Sequence, residues 1–332
     1  MLTVGKVLFQ SREQLEDDTR VSVYAQATGK STKTSDYIDE WLSWQKYSPQ
    51  VAAEAGKFVK DVFAKRFSTF ENIDRQGLKV WAMDMMMGRQ GYKANKRQTV
   101  AKKISYVTSY WKFCEDQYTD AINICTHDKV LPDASSTKAA TSESQNKSYI
   151  PFDTADCWKL YDAAQEDGYE HLADIIKLGM YTGCRIGELC HMKLEQVTDE
   201  WLQVADAKTY SGQREIPIHK DVQQLVERLK QTSTDGFLLS GLPSNNDFGD
   251  RSRGMSQKFG RLKSKLNFEK KRYAFHSFRS TILNRMENAG VNELFAARIA
   301  GHKIPTMSYG VYSGQIDWSN AVKAMAQVQY PR

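Results

Sequence analysis

The 332-residue sequence is short of the features that most quickly classify a protein. Its five cysteines (Cys114, Cys125, Cys157, Cys184, Cys190) are odd in number, scattered, and form no Cys-x-x-Cys pair. That pattern excludes a disulfide framework and zinc-finger spacing, and reads as free thiols in a reducing cytoplasm. No apolar run is long enough to cross a bilayer, so no membrane role is expected. The opening LTVGKVLFQSREQ has neither a basic start nor a long apolar stretch, so no signal peptide is read. Also missing are an internal repeat, a G-x-x-x-x-G-K-[ST] phosphate loop and an obvious carboxylate cluster for magnesium, so no cofactor is expected, neither metal nor ATP.

Charge is present, and its placement says more than its total of +6. Lys57 to Lys103 holds 12 Lys/Arg against 4 Asp/Glu, and Arg251 to Arg285 holds 11 against a single acid, Glu269. Two basic stretches far apart in the chain suggest a polyanion gripped from two sides, although a charge run is more often a solvated helix face.

The segment 132–148, PDASSTKAATSESQNKS, carries almost no large apolar residue and reads as a linker. It divides the chain into an N-terminal domain (1–131) and a C-terminal domain (149–332). In the first, Val51, Ala55, Phe58, Val59, Val62 and Phe63, and later Val100, Ile104, Val107, Trp111 and Cys114, recur at helical spacing. Shorter helices are expected near Ser35–Tyr47 and Asp74–Met87. Lys57, Lys60, Arg97, Lys102 and Lys103 lie on the opposite faces, where they could meet phosphates. The Met83–Met87 run reads as core filler, and two short strands are expected near Val4–Phe9 and Val21–Ala25. In the second domain helices are expected at Asp153–Gln165, Tyr169–Met180 (ended by Gly183), Asp221–Lys230, Ser256–Leu266, Ser277–Asn288, Asn292–Ile299 and Trp318–Val328. A hairpin joins Glu200–Val204 to Arg214–Ile218. The fold class is mainly α with a small β component. The basic helix bearing Lys258, Arg261, Lys263 and Lys265 is a candidate for phosphate and groove contacts.

Singly, the polar candidates for chemistry are unremarkable. Arg185 could neutralise a helix end with Glu188 at i+3, Lys208 could be a solvated turn lysine, and an H-x-x-R spacing such as His276–Arg279 arises by chance. His302 could be an ordinary residue after Gly301, and Tyr312 a packed aromatic. Together they supply every type of group needed to attack a phosphodiester. Arginines fork onto non-bridging oxygens as these gain charge. At an effective dielectric near 20, unit charges about 4 Å apart interact by roughly 4 kcal/mol. A lysine can protonate the departing oxygen. A histidine can take the proton of a tyrosine, which matters because a phenol with pKa near 10 is only about 0.1% ionised at pH 7. The tyrosine would then form a covalent intermediate.

The motifs TGCRIGEL (182–189), AKTYSGQREIPI (207–218), HSFRST (276–281) and GHKIPTMSYGVYS (301–313), in this order, resemble the catalytic domain of the tyrosine recombinase, or phage integrase, family. The helical N-terminal part resembles that family's core-binding (SAM-like) domain more loosely, by placement and helix pattern. The resemblance implies a C-shaped clamp on DNA and strand exchange through a 3′-phosphotyrosyl intermediate, as in integration or excision of a mobile element. By the same resemblance Arg185 and Arg279 are the paired arginines and His302 a further phosphate donor. His276 is the proton acceptor, Lys208 the general acid, and Glu188 an acid supporting Arg185. Tyr312 is the implied nucleophile, since a "T/S, three residues, V-Y-S" run ends on it. Tyr309 competes, and the His302–Tyr312 interval is one residue longer than in many relatives. The implied partners are double-stranded DNA at a specific site, a homotetramer on two duplexes, and DNA-bending accessory proteins. Two alternatives stay open: a type IB topoisomerase-like nicking and rejoining enzyme, and a non-catalytic architectural DNA-binding protein.

Overall fold

In the computed structural model, residues 31–119, 121–132, 149–205, 213–244, 246–301 and 318–332 are described. The strands expected near Val4–Phe9 and Val21–Ala25, and all of the expected linker but Pro132, lie outside the described residues. The chain divides into two compact units, residues 1–141 and residues 142–332.

The first unit is helical: α1 (Ile38–Trp44), α2 (Pro49–Phe58), α3 (Arg75–Met87), α4 (Arg97–Gln117) and α5 (His127–Val130). The rod begun by α2 continues through a π-helical turn, Val59–Phe63. The extra residue in that turn keeps Phe58, Val59 and Phe63 all on the core side. Every apolar residue read from the spacing of α4 is buried, from Val100 to Cys114. They pack with Trp41, Phe63, Phe70 and Trp81 in one aromatic-rich core. Asp74 caps α3 by accepting from the Gly77 N–H (2.5 Å), and Gly88, at φ +71°, ends it. The methionine run departs from expectation. A helix turns about 100° per residue, so Met85 is buried with Leu78, Trp81 and Ala82, Met86 packs partly buried against them, and Met87 is half exposed.

The second unit is built on α7 (Glu170–Thr182), which is buried from Leu172 to Thr182 except at Lys177. Around it stand α6 (Thr154–Glu166), the short α8 (Ile186–Cys190), α9 (Lys220–Thr232), α10 (Ser252–Lys265), α11 (Ser277–Asn288), α12 (Glu293–Ala300) and α13 (Trp318–Ala326). Strands β1 (Trp201–Val204) and β2 (Arg214–Pro217) pair antiparallel, Trp201 opposite Pro217 and Val204 opposite Arg214. At Gly179 a Cβ would stand 2.7 Å from the Phe275 ring, so the missing side chain lets α7 approach the start of α11. The chain's end packs on its own unit. The Tyr330 hydroxyl donates to the Met180 carbonyl (2.6 Å), the Trp158 indole to the Tyr330 carbonyl (3.2 Å), and Arg285 to the Gln329 carbonyl (2.7 Å). Among the described residues no helix is long and apolar enough to cross a membrane.

Candidate active site

The site begins where α7 stops. Gly183 adopts φ +62°, a left-handed conformation that closes the helix with its N–H on the Gly179 carbonyl. A Cβ there would lie 2.7 Å from Ile282 Cγ2 and 3.6 Å from the Arg279 Cα, so the same glycine lets α11 approach the turn. Arg185 follows as the residue capping α8. At five residues this helix is too short to show a periodicity in the sequence.

Glu188 organises the turn. One carboxylate oxygen accepts from the Arg185 guanidinium at 2.6 Å, and the other accepts the Arg185 backbone N–H at 2.8 Å. That is the reach-back half of a capping box, made by the third helical residue. The second oxygen also accepts from Arg214 Nη2 at 2.9 Å. Burial opposes ionisation of Glu188, but the paired Arg214, then the N–H and guanidinium of Arg185, outweigh it and hold the carboxyl at about 2.

Arg279 comes from the first turn of α11, and His276 is the residue just before that helix. Arg279 is 1% exposed, and its Nη1 donates to the Gly183 carbonyl at 3.2 Å. Burial, then the like charges of Arg214 and Arg185, lower its guanidinium to about 10. It remains cationic at neutral pH. Arg185 and Arg214 thus pair with the Glu188 carboxylate, and Arg279 adds a third guanidinium near it. His276, half-buried, lies with its ring 5.8 Å from that of Tyr149. Burial, then Arg279 and Arg185, push its imidazole below the ordinary value despite Glu188, which favours the neutral form able to accept a proton.

The turn and α11 therefore bring Arg185, Glu188, His276 and Arg279 to one place. Lys208, His302, Tyr312 and the competing Tyr309 lie outside the described residues. Among those that are described, no group of three or more His, Cys, Asp or Glu side chains is arranged to hold a metal ion.

Arg214 is the residue that reading the sequence passed over. Its side chain is only 4% exposed and also donates from Nε to the Ile299 carbonyl at 2.9 Å. A signal for it exists: Arg214 shares strand parity with the buried Ile216, and a buried arginine must find partners.

The basic residues expected on the surface divide. Lys57, Lys60 and Arg261 are exposed. Lys102 pairs with Glu54 at 2.7 Å on the surface, and Arg97 donates to the Pro132 carbonyl at 3.1 Å. Lys103 and Lys258 lie over the rings of Phe58 (5.4 Å) and Tyr169 (5.1 Å), and Lys265 pairs with Asp167 at 2.5 Å. Lys263 is a correction. It is 6% exposed and donates to the carbonyls of Lys270 (3.2 Å) and Tyr273, so it ties down the loop after α10 and is not presented to phosphate. An open groove of about 610 Å³ beside it runs between Arg261 and Lys270.

Residues 152–315 match the family model described as the phage integrase family. The integrases of Enterobacteria phage 434 and Escherichia phage lambda are each 31% identical over 180 residues, covering 52% of this chain and 48% of theirs. The chain thus spans about half the length of the curated relatives it matches. Among solved structures, a lambda integrase dimer bound to a COC′ core site superposes with a TM-score of 0.63 at 16% identity, over 89% of this chain and 83% of that one. The Tn1549 transposon integrase in complex with transposon right end DNA gives 0.61 at 19% identity, over 87% and 98%. At those identities the likeness speaks for the fold. Taken with the family match, it agrees with the motif order around Arg185 and Arg279: residues 152–315 are similar to the phage integrase, or tyrosine recombinase, family.

Proposed function

We propose that this protein is a site-specific DNA recombinase that cleaves and rejoins strands through a 3′-phosphotyrosyl intermediate, integrating or excising a mobile element. The observation that carries the reading is the gathering of Arg185, Glu188, His276 and Arg279 at the Gly183 turn, in the motif order of the family. In this reading the site receives a scissile phosphate. Arg185 and Arg279 stabilise its non-bridging oxygens as charge builds, with His302 as a further donor. The Tyr312 hydroxyl attacks phosphorus, His276 accepts its proton, and the bond to the 5′ oxygen breaks as Lys208 protonates that oxygen. A 5′ hydroxyl from the partner strand then attacks the phosphotyrosine and releases Tyr312. Each step exchanges one phosphodiester for another, so neither ATP nor a metal is part of the scheme. The roles of Lys208, His302 and Tyr312 rest on their motifs.

The substrate in this reading is double-stranded DNA at a specific site, handled by four subunits on two duplexes, with accessory bending proteins. The support is by likeness: related structures are of a lambda integrase tetramer bound to a Holliday junction and of a Tn1549 integrase on a transposon end. Residues 1–131 act as a core-binding domain, 132–148 as a linker and 149–332 as the catalytic domain. Lys57, Lys60, Arg97, Lys102, Lys103, Lys258 and Arg261 contribute phosphate contacts. The setting is the cytoplasm of a prokaryotic or phage-infected cell, in keeping with five unbridged, buried cysteines.

The test is strand transfer between duplexes carrying the cognate site. Wild-type protein exchanges strands, and Tyr312→Phe does not. Relaxation of supercoiled DNA of any sequence without transfer favours a topoisomerase-like enzyme, and a Tyr312→Phe variant as active as wild type overturns the catalytic reading.

A further inference from the structure

We propose that Arg214 is a positioning residue of this site: its guanidinium holds the Glu188 carboxylate that aims Arg185, and ties it to the end of α12. The inference rests on the recombinase reading above, and extends it to a residue outside the group expected to touch DNA.

The geometry is that of a junction. Nη2 donates to Glu188 Oε2 at 2.9 Å, Nη1 approaches Oε1 at 3.4 Å, and Nη2 lies 3.7 Å from the Cys184 sulfur. Nε donates to the Ile299 carbonyl, just ahead of Gly301 and His302. Arg214 itself opens β2, six positions after Lys208 in the sequence. One planar group therefore joins three of the four motif segments: TGCRIGEL, the hairpin strand, and the helix running into GHK. The fourth segment, at α11, meets the same network through the carbonyl that Arg279 holds.

The arrangement makes Arg185 conditional. Arg185 is half exposed, 48% by side chain, and its only ion pair among the described residues is with Glu188. The groups facing Glu188 are Arg214 from β2, Arg185 and Cys184 from the turn, and His276 and Arg279 from α11. Among them, Arg214 is the strongest influence keeping the carboxylate ionised against its burial. Without that hold the buried carboxyl takes up a proton more readily and its grip on Arg185 loosens. A lysine cannot replace the fork: one ammonium cannot serve both carboxylate oxygens and the Ile299 carbonyl at once.

The experiment is Arg214→Lys in the full-length protein, read by single-turnover cleavage of a suicide substrate at neutral pH, by DNA affinity, and by ¹³C NMR titration of Glu188 into the acid range without DNA. The expected result is a cleavage rate lower by about 10-fold or more with DNA affinity within about twofold, since orientation and not binding is lost. The Glu188 titration, read by NMR, moves up from about 2 by about one pH unit. If Arg214→Lys does not fold, Arg214→Met combined with Glu188→Gln removes both charges at similar volume, and the same loss of rate is expected. The inference is overturned if the folded variant cleaves at the wild-type rate. It is also overturned if the loss is only a smaller fraction of active molecules with the Glu188 titration unmoved, as a merely structural role predicts. Arg185→Ala is run alongside: if it cleaves normally, the recombinase site fails; if it is dead while Arg214→Lys is wild type, only the inference about Arg214 fails.

Discussion

Replacing Glu188 by glutamine tests the electrostatic account of the site without reference to DNA. The carboxyl falls from an ordinary 4.5 to about 2 in the fold, and its side chain is only 12% exposed. A difference of that size corresponds to about 3 kcal/mol favouring the folded state when the group is ionised. Because the folded value is depressed, this stability is fully present above pH 4.5 and is lost as pH falls toward 2. At pH 3.5 roughly 2 kcal/mol of it remains. Glutamine keeps the shape, cannot ionise, and leaves the 4%-exposed Arg214 without its counter-charge. Breaking one side of a buried pair costs about 3–5 kcal/mol, so the variant should be less stable at pH 7 by about that much. Urea unfolding of the two proteins at a series of pH values from 7 to 3 measures the gap. The gap should narrow as the pH drops through 4.5. A gap below about 1 kcal/mol at pH 7, or one that stays constant down to pH 3, refutes the view that Glu188 is an ionised keystone between Arg185 and Arg214.

Other perturbations separate the parts. Gly183→Ala meets both a positive φ and Ile282 at 2.7 Å, so thermal unfolding should show a loss of about 2 kcal/mol or more. A stability change within about 0.5 kcal/mol contradicts the close approach of α7 and α11. Lys263→Ala should lower stability and leave the salt dependence of DNA binding unchanged, whereas Arg261→Ala should leave stability alone and reduce the slope of log K against log salt by about one. In the DNA-free protein, His276 should titrate by NMR below the ordinary histidine value. The neutral form's contribution to stability is then present at neutral pH and lost as pH falls from the unfolded value through the folded one. A titration at or above the ordinary value contradicts a neutral proton acceptor.

Much of this was legible in the sequence, for physical reasons that also explain the misses. Long amphipathic helices announce themselves by period, and α11 runs over Ser277–Asn288 as its pattern indicates. Residues between structural elements are harder to read. The five-residue α8 is held by Glu188 reaching back to Arg185, a contact visible only once the turn is formed. Lys263 was misplaced by counting charges along α10, yet Met255, Phe259, Leu262 and Lys263 share one buried helical face, so its spacing already pointed inward. Arg214 was missed because it looked like an ordinary strand residue, while its partners, Glu188 and the Ile299 carbonyl, are remote in sequence. Pairings of that kind belong to the tertiary fold and leave no local pattern.

The central claim is that Tyr312 attacks a DNA phosphate beside Arg185 and Arg279. The most direct measurement is capture of the covalent protein–DNA adduct on a nicked suicide substrate carrying the cognate site, followed by mass spectrometry of the modified peptide. The account predicts a phosphodeoxynucleotide on Tyr312, abolished by Arg279→Ala. An adduct on Tyr309, or none with the cognate site in hand, contradicts it.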